Sequence, residues 1–145
     1  MNLLDLSNDL EKFAKEFENE VNEFTKRFIE TLLAELTTVT PADTTKALSN
    51  WQIGINSPVS DGPIDPYVAG RGGDTQPESA RAAYEAGKAI LQAKHVGNVV
   101  YISNLADYIV YLNEGTSYQA PAGFIEIAIA KVERQFEGKF KIKVL

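Results

Sequence analysis

The residues able to do chemistry in this 145-residue chain are few and far apart. There is one histidine, His95, and no cysteine. Without cysteine, disulfides, zinc–thiolate sites and iron–sulfur clusters are excluded together. A Ser–His–acid triad would have to use His95, and no Gly-x-Ser-x-Gly elbow holds a serine for it. His95 follows Lys94 at the end of an alanine-rich helical stretch, where a cationic group suits the helix dipole. Asp61 and Asp65, with Asp74 further on, lack the alternating oxygen ligands and closing Glu of a calcium loop. They read as turn-forming residues of a Pro/Gly-rich loop. Gly70-Arg71-Gly72-Gly73 suggests a phosphate cradle, but no Lys-Ser/Thr completes a P-loop and no strand precedes it. Arg71 remains able to meet a backbone phosphate or a partner's carboxylate. Glu114 and Glu126 flank a conspicuous turn with no second group converging on them. The sequence therefore nominates no catalytic, cofactor-binding or metal-ligating residue, and an enzyme is not expected.

The elements that would carry these residues are easier to read. Leu6, Leu10, Phe13, Phe17, Val21, Phe24, Phe28, Leu32 and Leu36 recur every three or four residues, uninterrupted by Gly or Pro until Pro41. The spacing predicts a helix over 3–37, about 50 Å long at 1.5 Å per residue. A body of the remaining hundred or so residues is too small to bury the whole stripe, so part of it is free to meet another subunit. The opposing reading is one large core helix, kinked near Glu20. Phe17, Val21, Phe24 and Phe28 are the candidate interface residues on it.

Thr40-Pro41-Ala42-Asp43 carries a capping signal for a short helix over 41–49. Trp51, Ile53 and Ile55 alternate with Gln52, Gly54 and Asn56, as in a half-buried strand. Residues 57–75 hold Pro58, Pro63, Pro66 and four glycines, a stretch longer than most loops of compact domains. Such a loop either reaches a neighbouring subunit and orders there or is a floppy surface segment. Ile64, Tyr67, Val68 and Arg71 are its candidate contact residues. A helix follows from a Thr75 cap to about Lys94. A strand over 98–103 with both faces apolar is expected to be central. Next come a helix from an Asn104 cap to a Gly115 stop and a last helix opened by Pro121, with Ile125, Ala128, Ile129, Val132 and Phe136 on its inner face. Phe140, Ile142 and Val144 alternate with lysines as an edge strand guarded by charge. The order predicts one α+β domain over 1–145: a long N-terminal helix, then a body at 38–145 with a small, mainly antiparallel sheet flanked by helices.

At 44% hydrophobic and 23% charged the chain is ordinary globular material with no stretch apolar enough to span a membrane, and no membrane partner is expected. Its formal net charge of −6 argues against wholesale nucleic-acid binding, apart from the local basic tail of Lys139, Lys141 and Lys143.

The stretch Ile102-Ser103-Asn104, Tyr108, Leu112, Glu114-Gly115 and Gln119-Ala120-Pro121-x-Gly123 resembles the family of tailed-phage neck and tail-completion proteins, the head–tail joining or minor tail proteins. That family tends to have a strand ending in Ile-Thr/Ser-Asn, a Tyr-bearing helix with a Gly stop, and a Gln-Ala-Pro-x-Gly turn. Upstream, Thr40-Pro41-Ala42-Asp43-Thr44 and Ser49-Asn50-Trp51-Gln52 are similar to its Thr-Pro-x-Asp-Thr-Gly start and Trp-bearing strand. Thr45 departs where the family usually has Gly, a change expected to be tolerated inside a helix turn. The resemblance covers about residues 38–136. It implies a virion structural subunit, assembled in the host cytoplasm as a homo-oligomeric ring at the head–tail junction. Its partners would be portal or adaptor proteins, or tail-tube proteins, with DNA only as passing cargo. An acidic chain suits a lumen that must let DNA slide. The alternative is a non-viral or prophage-derived adaptor that binds proteins through the long helix.

Overall fold

The computed structural model describes residues 3–138. Its first element, α1, runs unbroken over Leu3–Val39. It ends because Pro41 has no N–H to continue the ladder and because Thr40 is already committed. The Thr40 hydroxyl donates to the Leu36 carbonyl at 2.6 Å and accepts the Trp51 indole N–H at 2.8 Å. The expected helix over 41–49 is correspondingly shortened to one turn, α2 (Lys46–Ser49). With its hydroxyl turned back onto α1, Thr40 cannot cap forward.

β1 (Trp51–Ile55) pairs antiparallel with β2 (Val100–Asn104), Trp51 opposite Asn104 and Ile55 opposite Val100. This is the α+β arrangement the sequence predicts: a long N-terminal helix, a small antiparallel sheet and helices around it. β2 is not central among the described residues. Its one neighbour there is β1, and all five of its residues are half-buried. The expected strand at Phe140–Val144 lies outside the described residues.

α3 (Gln76–Leu91) lies against α1 and β1. α4 (Ile109–Asn113) is five residues long and starts later than the Asn104 signal implies. Asn104 spends its side chain otherwise: its carbonyl oxygen accepts the Ala106 N–H at 3.0 Å and its amide donates to the Ala47 carbonyl at 2.9 Å. α5 (Phe124–Gln135) follows Gly123, whose φ of 74° only glycine adopts freely. Pro121 lies in the preceding turn and not at the helix start. The amide donors at the start of α5 are met instead by Asn113 of α4. Its backbone carbonyl accepts the Gly123 N–H at 2.6 Å and its side chain accepts the Ile125 N–H at 3.0 Å.

The core gathers Phe28, Ile29, Leu32, Leu33 and Leu36 of α1 with Trp51 and Ile53 of β1, Leu91 of α3, and Ala128 and Val132 of α5. Every α1 member of this core lies in the second half of the helix.

Candidate assembly interface

α1 is two helices in one. From Phe28 onward its apolar face is the core, and Leu33 is fully buried. From Leu3 to Val21 every residue is exposed. The apolar side chains Leu3, Leu6, Leu10, Phe13, Phe17 and Val21 stand 42–86% exposed along this half. The free half is about 28 Å long at 1.5 Å per residue. Neither a core helix nor a kink near Glu20 describes it. Of the four predicted interface residues on α1, Phe17 and Val21 are on the free half and Phe28 is not. Phe28 is 5% exposed and meets the Phe136 ring edge-on at 5.1 Å, so it is a core residue. Phe24 is intermediate, tilted against Phe136 at 5.5 Å with the Arg27 guanidinium 5.3 Å from its ring centre. Two shallow, solvent-open grooves of about 570 and 640 Å³ meet along this stretch and share Phe24 and Arg27.

The border between the halves is pinned from the body by Lys94. This lysine is 5% exposed, and its ammonium donates to the Asn22 side chain and, at 3.3 Å, to the His95 carbonyl. Burial holds its pKa below the ordinary 10.5. Lys26 pushes the same way and Glu23 opposes. His95 itself is exposed and lies past the end of α3, where its N–H donates to Asn98 Oδ1 at 2.7 Å. It therefore belongs to a turn and not to the helix terminus.

Residues 57–75 contain no helix or strand, yet from Ile64 onward they are hydrogen-bonded to the subunit's own body. Fully buried side chains of the body strap them down. Asn50 accepts the Ile64 N–H at 2.8 Å and donates to the Ile64 carbonyl at 3.0 Å, as a neighbouring strand would. The Ser49 hydroxyl accepts the Tyr67 N–H at 3.2 Å. The Val68 carbonyl takes the Thr45 hydroxyl at 2.7 Å and the Ser79 hydroxyl at 2.6 Å. Gly54 lets the loop leave β1, since a Cβ there would fall 2.1 Å from the Ser57 carbonyl oxygen. Of the candidate contact residues, Ile64 is half-buried, while Tyr67, Val68 and Arg71 present exposed side chains.

The Gly-rich segment is not an open phosphate cradle. Asp43 accepts the Gly72 N–H at 2.7 Å and Asp74 accepts the Arg71 N–H at 2.7 Å, so the chain's own carboxylates occupy those donors. Among the described residues no three His, Asp or Glu side chains gather as a metal cage, and no helix is long and apolar enough to cross a membrane.

The motif fragments, distant in sequence, meet in this same region. Gln119 accepts the Ala42 N–H at 2.6 Å, Asp43 holds Gly72, Thr40 holds Trp51, and Asn104 holds Ala47. Tyr108 is exposed just before α4, and Gly115 ends α4 with φ 98°. Thr45 is not inside a helix turn as expected. It precedes α2 with φ 63°, a left-handed conformation costly for a β-branched residue. Its hydroxyl also lies 3.1 Å from that of Ser79, a second buried contact holding it there. The missed signals, Asn50, Ser79 and Asn113, are ordinary polar residues whose partners lie 14, 11 and 12 positions away. Compared with known proteins, the chain matches no family model, no curated protein and no solved structure.

Proposed function

We propose that this chain is a structural subunit of a tailed-phage virion that assembles as a ring at the head–tail junction, around the DNA channel. The observation that carries the assembly part is the free half of α1. Residues 3–21 expose a continuous apolar stripe that the subunit's own body does not cover. A soluble chain rarely keeps such a stripe in water unless a partner takes it. The phage part rests on the motif resemblance, and two features of the fold support it. The three fragments are hydrogen-bonded into one junction, so they act as a unit. The position where the family usually carries Gly has the left-handed backbone that Gly serves, here adopted by Thr45. Portal, adaptor or tail-tube proteins are the expected neighbours, and DNA is cargo that passes without being gripped.

The test is electron microscopy and mass measurement of the purified chain, alone and co-expressed with portal and tail-tube proteins. Closed rings, or incorporation into a larger ring, are expected. A chain that stays a monomer or a dimer at every concentration and joins neither partner overturns the phage reading.

A further inference from the structure

Within the free half of α1, residues 3–17 space their apolar side chains as a two-heptad seam does, and Val21, though exposed, lies beyond that run. Leu3, Leu6, Leu10, Phe13 and Phe17 cover fourteen residues in four steps, a mean of 3.5. Val21, Phe24, Phe28, Leu32 and Leu36 cover fifteen residues in four steps, a mean of 3.75. A straight α-helix turns once every 3.6 residues, and a sustained period of 3.5 is the one that keeps a seam facing another supercoiled helix. The period changes at Val21, beside the Lys94–Asn22 pin where the body takes hold.

We infer that residues 3–17 of α1 pair in parallel and in register with the same residues of a second copy of this chain. The inference rests on the assembly reading above and names the occupant of the exposed stripe. In heptad terms Leu3, Leu10 and Phe17 take the a positions, and Leu6 and Phe13 the d positions. The flanking positions choose the orientation. One flank (g) carries Asp9 and Glu16, while the other (e) carries Ser7, Ala14 and Val21. In a parallel pair g meets e of the partner, so each carboxylate faces a small neutral or apolar residue. In an antiparallel pair g meets g, and carboxylates oppose carboxylates.

The exposed seam amounts to on the order of 600 Å² of apolar surface per copy, comparable with the roughly 800 Å² per partner of a standard interface. Pairing also avoids the nucleation cost that makes short isolated helices marginal, because the docked half already templates the turn. Such a pair is isologous and joins copies two at a time, so the ring proposed above needs a second, head-to-tail contact on another surface of the subunit.

Charge sets a further signature. Residues 3–21 carry six acids (Asp5, Asp9, Glu11, Glu16, Glu18, Glu20) against two bases (Lys12, Lys15). Two copies repel at long range, so salt strengthens their association, whereas a basic partner on the same face would bind more weakly as salt rises.

The chain has no cysteine, so single substitutions report cleanly. Leu6→Cys and Phe13→Cys are each made alone in the full chain and oxidised. Disulfide-linked dimers are expected at both positions, because a parallel in-register pair brings each residue to its own copy. An antiparallel pair can self-link at one position at most. Sedimentation is expected to show association that tightens with salt and is lost in Phe13→Asp, with helix content by circular dichroism unchanged. Cross-linking at only one position, or at neither, overturns the inference, as does association that weakens with salt. If particle incorporation is abolished by Phe13→Asp while no copy-to-copy link forms, this inference fails and the assembly reading stands. If Phe13→Asp is incorporated like the natural chain and no link forms, the free half of α1 is not an assembly surface and both fail.

Discussion

Residues 3–21 and residues 57–75 both look, on composition and length, like segments in search of a partner, and the structure treats them in opposite ways. The helix half stands clear of the body, while the second half of the loop is bound to it at Ile64, Tyr67 and Val68. Backbone accounting explains the difference. A helix satisfies its own N–H and C=O groups and can project into solvent with only its side chains uncommitted. An irregular loop has no such internal supply and must borrow partners, here from Ser49, Asn50, Thr45 and Ser79 at the surface of the core. Apolar side chains thus leave the helix half open to assembly, and polar ones close the loop onto its own subunit.

That contrast can be broken or sharpened by substitution. The largest effect is expected in the docked half of α1. Leu33→Ala empties a fully buried site and should cost about 3–5 kcal/mol in urea denaturation. A cost near zero would mean that α1 is not anchored where it is drawn. Asn50→Ala removes both the acceptor and the donor that hold Ile64, and about 2–3 kcal/mol of destabilisation is expected. Limited proteolysis should then cut within 57–75 before the folded natural chain is cut there. An uncut loop would show that the strap is dispensable. Gly54→Ala drives a methyl group against the Ser57 carbonyl at the loop's exit and should cost about 1–3 kcal/mol.

A smaller effect is expected at the border of the helix halves. Because the Lys94 pKa in the folded chain lies below 10.5, the unfolded chain holds more protons between that lowered value and 10.5. Its contribution to stability is complete above 10.5 and is lost as pH falls through the lowered pKa. Stability should therefore rise with pH across that window in the natural chain, relative to Lys94→Met. Parallel pH series of denaturation midpoints for the two proteins check the sign. The smallest effect belongs to the free half: Leu10→Ala should leave monomer stability within about 0.5 kcal/mol. A clear loss measured at dilution would mean that the stripe is covered within one subunit.

Much of this fold was legible in the sequence, because period and punctuation are local. α1, β1 and α5 follow from apolar spacing and α3 from the signal at Thr75, and Gly115 marks the end of α4. The failures at helix starts share a cause: the side chain or backbone donor that signals the start has a partner the spacing does not reveal. Thr40 signals a forward cap and instead serves Leu36 and Trp51. Asn104 signals a helix start and is taken by Ala47 and Ala106. Pro121 suggests the opening of α5, whose donors are met by Asn113. The exposed stripe on 3–21 was legible as apolar and helical. That the body would stop at Asn22 was not, because that boundary is set by Lys94 arriving from α3's far end.

The continuity of α1 makes it a lever. Its fulcrum is the cluster of Phe24, Phe28 and Phe136, and its free arm is about 28 Å long. A change of about 10° in how α1 crosses the body, within the ordinary scatter of helix packing, swings the tip by about 5 Å. Small adjustments in side-chain packing at the fulcrum are thereby magnified at the far end, where about 5 Å is the rise of one helical turn.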